Sequence, residues 1–219
     1  MAASGEVNLG QKLKTGYGLG YCHIVEDAHH DDPPSGPLGA AGGAFLSHEI
    51  AANPGQVIGA GQGSTLAAAI QYAKTDRAEG VTMVSVMGGP TPDERAHNAD
   101  LIVAEIGAVG ATTELVAAGL MTQGEMDEVR QAGAKGEILG HFFDAEGFPI
   151  ETDATRRTAK PPLDDLRSRR IVAVAGAAAG AIAVGAVLES RLLNGLTIDE
   201  ATALEIVETQ ESKTPRQEH

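Results

Sequence analysis

Apolar residues fall into short unbroken runs that end in glycine, separated by Ala- and Leu-rich stretches without breakers. In the clearest case Val57-Ile58 enters Gly59-Ala60-Gly61-Gln62-Gly63, followed by Ser64-Thr65 and an alanine-rich segment to Ala73. That order predicts a buried strand, a glycine turn and a helix. Residues 21–26, 81–87, 100–106, 136–143 and 171–175 read as further strands. Helices are expected over 38–52, from Thr91, over 112–119, over 122–133 behind a Thr122/Glu125 capping box, as a turn at 163–166, over 177–193, and from a Thr197 cap to about Val207. Residues 1–20 show only weak helical character near Val7–Leu13, and the tail from 208 to 219 is polar. The alternation predicts an α/β protein with helices on both faces of a mainly parallel sheet. Ligands in such sheets bind beyond the carboxyl ends of the strands, where the glycine loops converge.

Composition narrows this picture. The 219 residues are 42% apolar and only 3% aromatic, with no tryptophan and 28 glycines, so the core must be built from Ala, Val, Ile and Leu. The length fits one domain, 21–207, with an N-terminal extension (1–20) and a tail (208–219). A net charge of −14 argues against a chain that grips nucleic acid by itself. Cys22 is the sole cysteine, which excludes an internal disulfide and a thiolate metal cluster. No secretory leader is evident, and a cytoplasmic location is the default expectation. The apolar run 171–188 approaches the roughly 18 residues at which a membrane helix is considered. It is mostly Ala and Gly, and Gly176-x-x-x-Gly180 reads as a strand-to-helix turn, so no membrane partner is expected.

Several residues carry candidate chemistry. The first amides of a helix lack partners, so the loop before Ser64 should favour anions and hydroxyl-rich ligands. Glu137, between a glycine and an apolar run, offers a carboxylate that can accept two sugar hydroxyls. Asp144 reads as a turn residue bonding backbone two positions on. His29-His30-Asp31-Asp32, and His97 with Asp100, read as polar loops, not metal ligands. Cys22 reads as packing. No cofactor is expected.

At a larger scale, the run from Gly133 through Lys135-Gly-Glu-Ile-Leu-Gly-His-Phe-Phe-Asp144 to Pro149 resembles the most distinctive segment of the SorC/DeoR-type sugar-binding transcriptional regulators. Pro162-Leu-Asp-Asp-Leu166 leading into Ile171-Val-Ala-Val-Ala-Gly176 resembles the same family. So do Asn194-Gly-Leu-Thr-Ile-Asp-Glu-Ala-Thr-Ala203, residues 57–69, and Ala118-Gly-Leu120 with the capped helix after it. The blocks stand in family order from about Leu13 to Val207. The resemblance implies a Rossmann-like three-layer domain of the ribose-5-phosphate isomerase, glucosamine-phosphate deaminase and CoA-transferase type. It implies a small carbohydrate effector (sugar, sugar alcohol or sugar phosphate) and a homo-oligomer, dimer or tetramer. DNA would be met only through a separate helix-turn-helix domain. The ligand-facing positions it implies are Gly61, Gln62, Gly63, Ser64, Thr65, Gly88, Gly89, Glu137, Leu139 and Gly180.

Three departures accompany the resemblance. About twenty residues precede the first strand, where the family carries its helix-turn-helix. Met87 reaches Asp100 in a few residues, where the family has a long segment. A common lysine is replaced by Gly180, and an arginine expected near 115–118 is missing. A charge-assisted hydrogen bond contributes roughly 1.5–3 kcal/mol, so the missing cations favour a neutral polyol or sugar, or a phosphate held mainly by loop amides. The preferred reading is a non-catalytic effector sensor. The alternative is a sugar-phosphate isomerase or deaminase with Glu137 or Asp144 as base; it lacks a lysine or histidine in the matched loops, Lys135 being the nearest. A third reading is an assembly module without a ligand.

Overall fold

The structure, a computed structural model, describes residues 2–26, 33, 36–76, 78–87, 96–110, 114–117, 119–176 and 179–213. In chain order they form α1 (Ala2–Tyr17), β1 (Tyr21–Val25), α2 (Pro37–Ala52), β2 (Val57–Ala60), α3 (Ser64–Tyr72), β3 (Thr82–Ser85), a 3-10 turn (Ala96–Asn98), β4 (Leu101–Glu105) and β5 (Gly107–Ala108). There follow α4 (Glu114–Ala117), α5 (Gln123–Gln131), β6 (Gly136–Ile138), β7 (His141–Phe143), β8 (Pro149–Ile150), α6 (Asp153–Arg157), α7 (Leu163–Arg167), β9 (Arg170–Ala175), α8 (Gly180–Glu189), β10 (Gly195–Asp199) and α9 (Glu200–Lys213).

Six strands pair in the order β1-β10-β9-β4-β2-β3, and every neighbouring pair is parallel. Side chains along a strand alternate between faces, and that alternation divides the core. Leu101 and Val103 of β4 and Val172 of β9 join Phe45, Leu46, Ile50, Leu66 and Ala69 of α2 and α3. Ile102, Ala104, Ile171 and Ala173 join the opposite cluster, with Leu13 of α1, Val184 and Val187 of α8, and Ile206 of α9. This is the expected helix–sheet–helix layering. The apolar run 171–188 is a strand followed by a ten-residue helix, and no helix among the described residues is long and apolar enough to cross a membrane.

A second sheet, β5-β6-β7-β8, is antiparallel. Residues 136–143, expected as one strand, form a hairpin. Leu139 (φ 53°) and Gly140 (φ 77°) form a two-residue turn with both residues at positive φ, the geometry whose twist matches antiparallel strands. Leucine in that conformation carries no turn signal, so the run reads as continuous.

Other boundaries moved as well. The helix expected near Val7–Leu13 runs from Ala2 to Tyr17, with Leu9, Leu13 and Tyr17 buried at a four-residue spacing along one stripe. Thr197 caps nothing: it is a fully buried residue within β10. The carboxylate two positions on does that work, Asp199 Oδ1 accepting from Thr202 N at 2.8 Å. The last helix continues to Lys213. The capping box at Thr122/Glu125 is present as expected. The helix expected from Thr91, and the start of that expected at Thr112, fall on positions outside the described residues.

One ion pair ties the two sides of the sheet's amino-terminal edge. Arg170 opens β9 and donates to both oxygens of Glu49, at 2.6 and 2.7 Å. Glu49 is 5% exposed, and its main-chain carbonyl accepts from Gln56 Nε2 just before β2. Removing Arg170 leaves the buried Glu49 carboxylate with only a long bond from Asn53 Nδ2, at 3.3 Å, which costs more than an exposed pair contributes. Arg170→Met should therefore lower unfolding stability by about 2 kcal/mol. Lys12→Met, which breaks an exposed pair with Glu211, should cost about 0.5 kcal/mol or less. Urea unfolding of both variants checks this, and equal costs would contradict it.

Candidate functional site

The carboxyl ends of β2, β3 and β4 lie side by side, so the loops that leave them share one edge of the sheet. Ala60 pairs with Val103. Glu105 therefore stands two residues beyond the end of β2, level with the glycine loop. Its Oε2 accepts from Thr65 N at 2.9 Å and from Leu66 N at 3.0 Å. The opening amides of α3 were expected to be without partners; an acid from the neighbouring strand holds two of them. Neither Ser64 nor Thr65 supplies a side-chain cap, and the N-cap is Gly63 with φ 140°. A Cβ at Gly63 would run into the Glu105 carboxylate, so glycine is required there both for its backbone angle and for space.

The hairpin turn forms a second wall. Leu139, 2% exposed, lies with Cδ2 2.9 Å from where a Cβ on Gly61 would be. Gly140 packs against Met87 and Lys160, whose nearest atoms lie 3.2 and 3.3 Å from where its Cβ would be. Glu137 is buried; its Oε1 accepts from Gly140 N at 2.6 Å and closes the turn. Its Oε2 faces Gly107, which pairs with Glu137 across β5–β6. Glu105 and Glu137 thus flank one short link, residues 105–107.

Two polar side chains without an expected role brace this turn. Lys160 Nζ donates to the Gly140 carbonyl at 3.1 Å; burial pushes its pKa down, against the pull of Glu151 and Glu137. The His141 ring meets the Pro161 carbonyl at 2.8 Å through Nε2. A carbonyl only accepts, so Nε2 carries the hydrogen. Burial, with Lys160 assisting, pushes His141 down to about 4. Lys135, the cation nearest in sequence, lies elsewhere.

The sequence-derived residues separate accordingly. Gly61, Gly63, Thr65, Glu137 and Leu139 meet at the edge just described, with Gln62 and Ser64 exposed on the loop between. Gly88 and Gly89 lie outside the described residues. Gly180 opens α8 at φ 76°; its neighbours Ala179, Ile182 and Ala183 line a separate cleft of about 640 Å³ with Arg130 and Lys135. Asp144 Oδ1 accepts from Glu146 N and Phe148 N, which is the turn role expected of it. Cys22 is raised by burial to about 11, so it is a poor nucleophile, in keeping with packing. The His29–Asp32 cluster falls outside the described residues, and among those described no three acidic, histidine or cysteine side chains are grouped to hold a metal. Asp199 is a further acid unnoticed in the sequence: it is 1% exposed at the end of β10, with Oδ2 unpartnered.

Comparison with known proteins gives this edge a context. Residues 2–98 and 93–208 match the family profile described as "Putative sugar-binding domain". Over 249 aligned positions the chain is 32% identical to the erythritol catabolism regulatory protein EryD of Brucella abortus, covering 92% of this chain and 79% of that protein. It is 36% identical over 112 residues to the transcriptional regulator LsrR of Klebsiella pneumoniae, covering 49% of this chain and 35% of that one. A DeoR family transcriptional regulator from Listeria monocytogenes shares the fold with a TM-score of 0.82 at 18% identity, over 92% of this chain and 99% of that one. The full-length sorbitol operon regulator SorC from Klebsiella pneumoniae does so with a TM-score of 0.74 at 17% identity, over 92% and 81%. These relatives are transcriptional regulators, not enzymes. The two profile matches meet between 93 and 98. The 249 aligned positions exceed the chain's 219 residues by 249 less 219, so at least 30 positions of EryD face no residue here. The boundary between the two profile matches falls within the short passage from Met87 to Asp100.

The His141 environment makes stability depend on pH. The folded ring titrates near 4 and an unfolded one near 6.5, so between these values the unfolded chain binds the extra proton. Stability is then full above about pH 6.5 and falls as the pH drops toward 4, by roughly 3 kcal/mol at most. Urea unfolding at pH 7.5, 5.5 and 4.5 should show that loss. His141→Gln should flatten the profile; an unchanged slope in the variant would contradict the assignment.

Proposed function

The chain belongs to the sugar-binding-domain family of SorC-type transcriptional regulators, and on that footing we propose that it senses a small carbohydrate at the carboxyl edge of its parallel sheet. The observation that carries this reading is that the glycine loop packs against the Leu139 turn, with Glu105 seated in the loop and Glu137 closing the turn. Carboxylates accept hydrogen bonds from hydroxyls, and a polyol presents several. The likeness to a regulator of erythritol catabolism supports a ligand of that hydroxyl-rich class. In this reading Gly61–Thr65 and Leu139 form the walls and Glu137 an acceptor, and the ligand sets the balance between two states of a homo-oligomer. DNA binding belongs to a helix-turn-helix domain distinct from residues 21–207. A ligand moves such a balance only by binding the two states with different affinity.

A ligand that binds only the folded protein raises its melting temperature in proportion to the logarithm of its concentration. In a panel of sugars, sugar alcohols and their phosphates, one chemical class should raise the Tm of the chain. Glu137→Gln keeps an acceptor for the Gly140 amide and should fold, yet its response to that ligand should fall at least tenfold. A panel without any shift, or an undiminished response in Glu137→Gln, would contradict the reading.

A further inference from the structure

We infer that Lys160 is a positioning residue for the proposed pocket: from the segment 158–162 it holds the Leu139–Gly140 turn in the conformation that sets Leu139 against Gly61. The inference rests on the reading of Leu139 as a pocket wall, and it names the element that keeps that wall in place.

A two-residue turn with positive φ at both positions ordinarily carries asparagine, aspartate or glycine at the first. Leu139 occupies that position at φ 53°, where its Cβ crowds the following carbonyl. Such a conformation persists only where the surroundings hold it. The leucine side chain is nonetheless what the turn delivers to the pocket. Leu139 is 2% exposed, and its Cδ2 lies against the point where a side chain on Gly61 would begin. Relaxing the turn to negative φ swings that side chain away from the glycine loop, so the backbone angle and the wall are one structure.

Two hydrogen bonds run in opposite directions between this turn and segment 158–162. Lys160 Nζ donates to the Gly140 carbonyl at 3.1 Å, and His141 Nε2 donates to the Pro161 carbonyl at 2.8 Å. The Lys160 stem also lies on Gly140, with Cβ and Cδ 3.3 Å from where a Cβ would be. The carboxylates of Glu151 and Glu137 attract its ammonium. The segment is itself anchored at both ends. Thr158 closes α6 and donates to the Ala154 carbonyl at 3.2 Å. Pro162 stands at the N-cap of α7, whose Leu166 is in the core. The rings of Pro161 and Pro162 fix φ between these anchors. The turn is thus moulded against a stiff support, and a wall held ready in this way spares a ligand the cost of ordering it. Where only a fraction of molecules keeps the wall in place, apparent affinity falls by that fraction.

The test compares Lys160→Met, which keeps the stem and removes the donor, with Lys160→Arg, which restores a donor. In the full chain, amide hydrogen exchange at Gly140 and His141 should be about tenfold faster or more in Lys160→Met, while Ile102 and Val172 in the sheet core keep their wild-type rates. The Leu139 methyl resonances should shift in the same variant, and Lys160→Arg should restore both readouts. Unchanged exchange and methyl shifts in Lys160→Met overturn the inference. Faster exchange spread equally over the sheet overturns it too, because that marks a general loss of stability. Erythritol, xylitol and sorbitol serve as probes in thermal-shift titrations. A polyol that stabilises the wild-type chain should need about tenfold more concentration for the same shift in Lys160→Met; an equal response overturns the link to the pocket. If the exchange rates respond as expected and no carbohydrate shifts the wild-type chain, the positioning role stands and the carbohydrate-sensor reading falls.

Discussion

Six parallel strands deliver all their carboxyl ends to one edge, and the backbone amides gathered there must find acceptors. In this chain acids meet the need. Glu105 takes the opening amides of α3, Glu137 the amide that closes the β6–β7 turn, and Asp199 the amide of Thr202 in α9. Each lies at or beyond the end of its strand or in the hairpin above, so satisfying the backbone also gives the edge a negative character. Buried polar groups need partners whatever the function. Supplying those partners as carboxylates places hydrogen-bond acceptors at the edge where the pocket is proposed.

The fold was largely legible in the sequence because it rests on local signals. Apolar runs ending in glycine marked β2, β4 and β9, and the Thr122 capping box marked α5. Where the reading failed, long-range contacts or rare backbone angles were responsible. Glu105 reaches Thr65 across 40 residues, and only the β2–β4 pairing brings them together. The hairpin inside 136–143 depends on Leu139 at positive φ, which propensity does not suggest. Thr197 had the spacing of a cap, but β10 extends past it and buries it, and Asp199 takes the role.

The grouping of the candidate residues was legible only in part. Sequence similarity marked the glycine loop, Glu137 and Leu139, and the fold brings these together through contacts at Gly61 and Gly140. It gave no warning that the loop's amides were already engaged, because an acid at the end of an apolar strand reads as a simple boundary. Lys160 and His141 escaped for a related reason. Each acts through a single carbonyl twenty residues away, Gly140 and Pro161 respectively; Lys160 lies outside the family-like blocks, and His141 lies inside one with nothing in its neighbours to signal the partner.

The central claim is where the carbohydrate lies, and amide chemical-shift mapping of the isotope-labelled chain tests it most directly. Titration with a stabilising uncharged polyol should perturb the amides of 61–66, 105–107 and 137–140 most strongly. Perturbations gathered instead at 127–135 and 179–183, around the cleft by α8, would contradict the account.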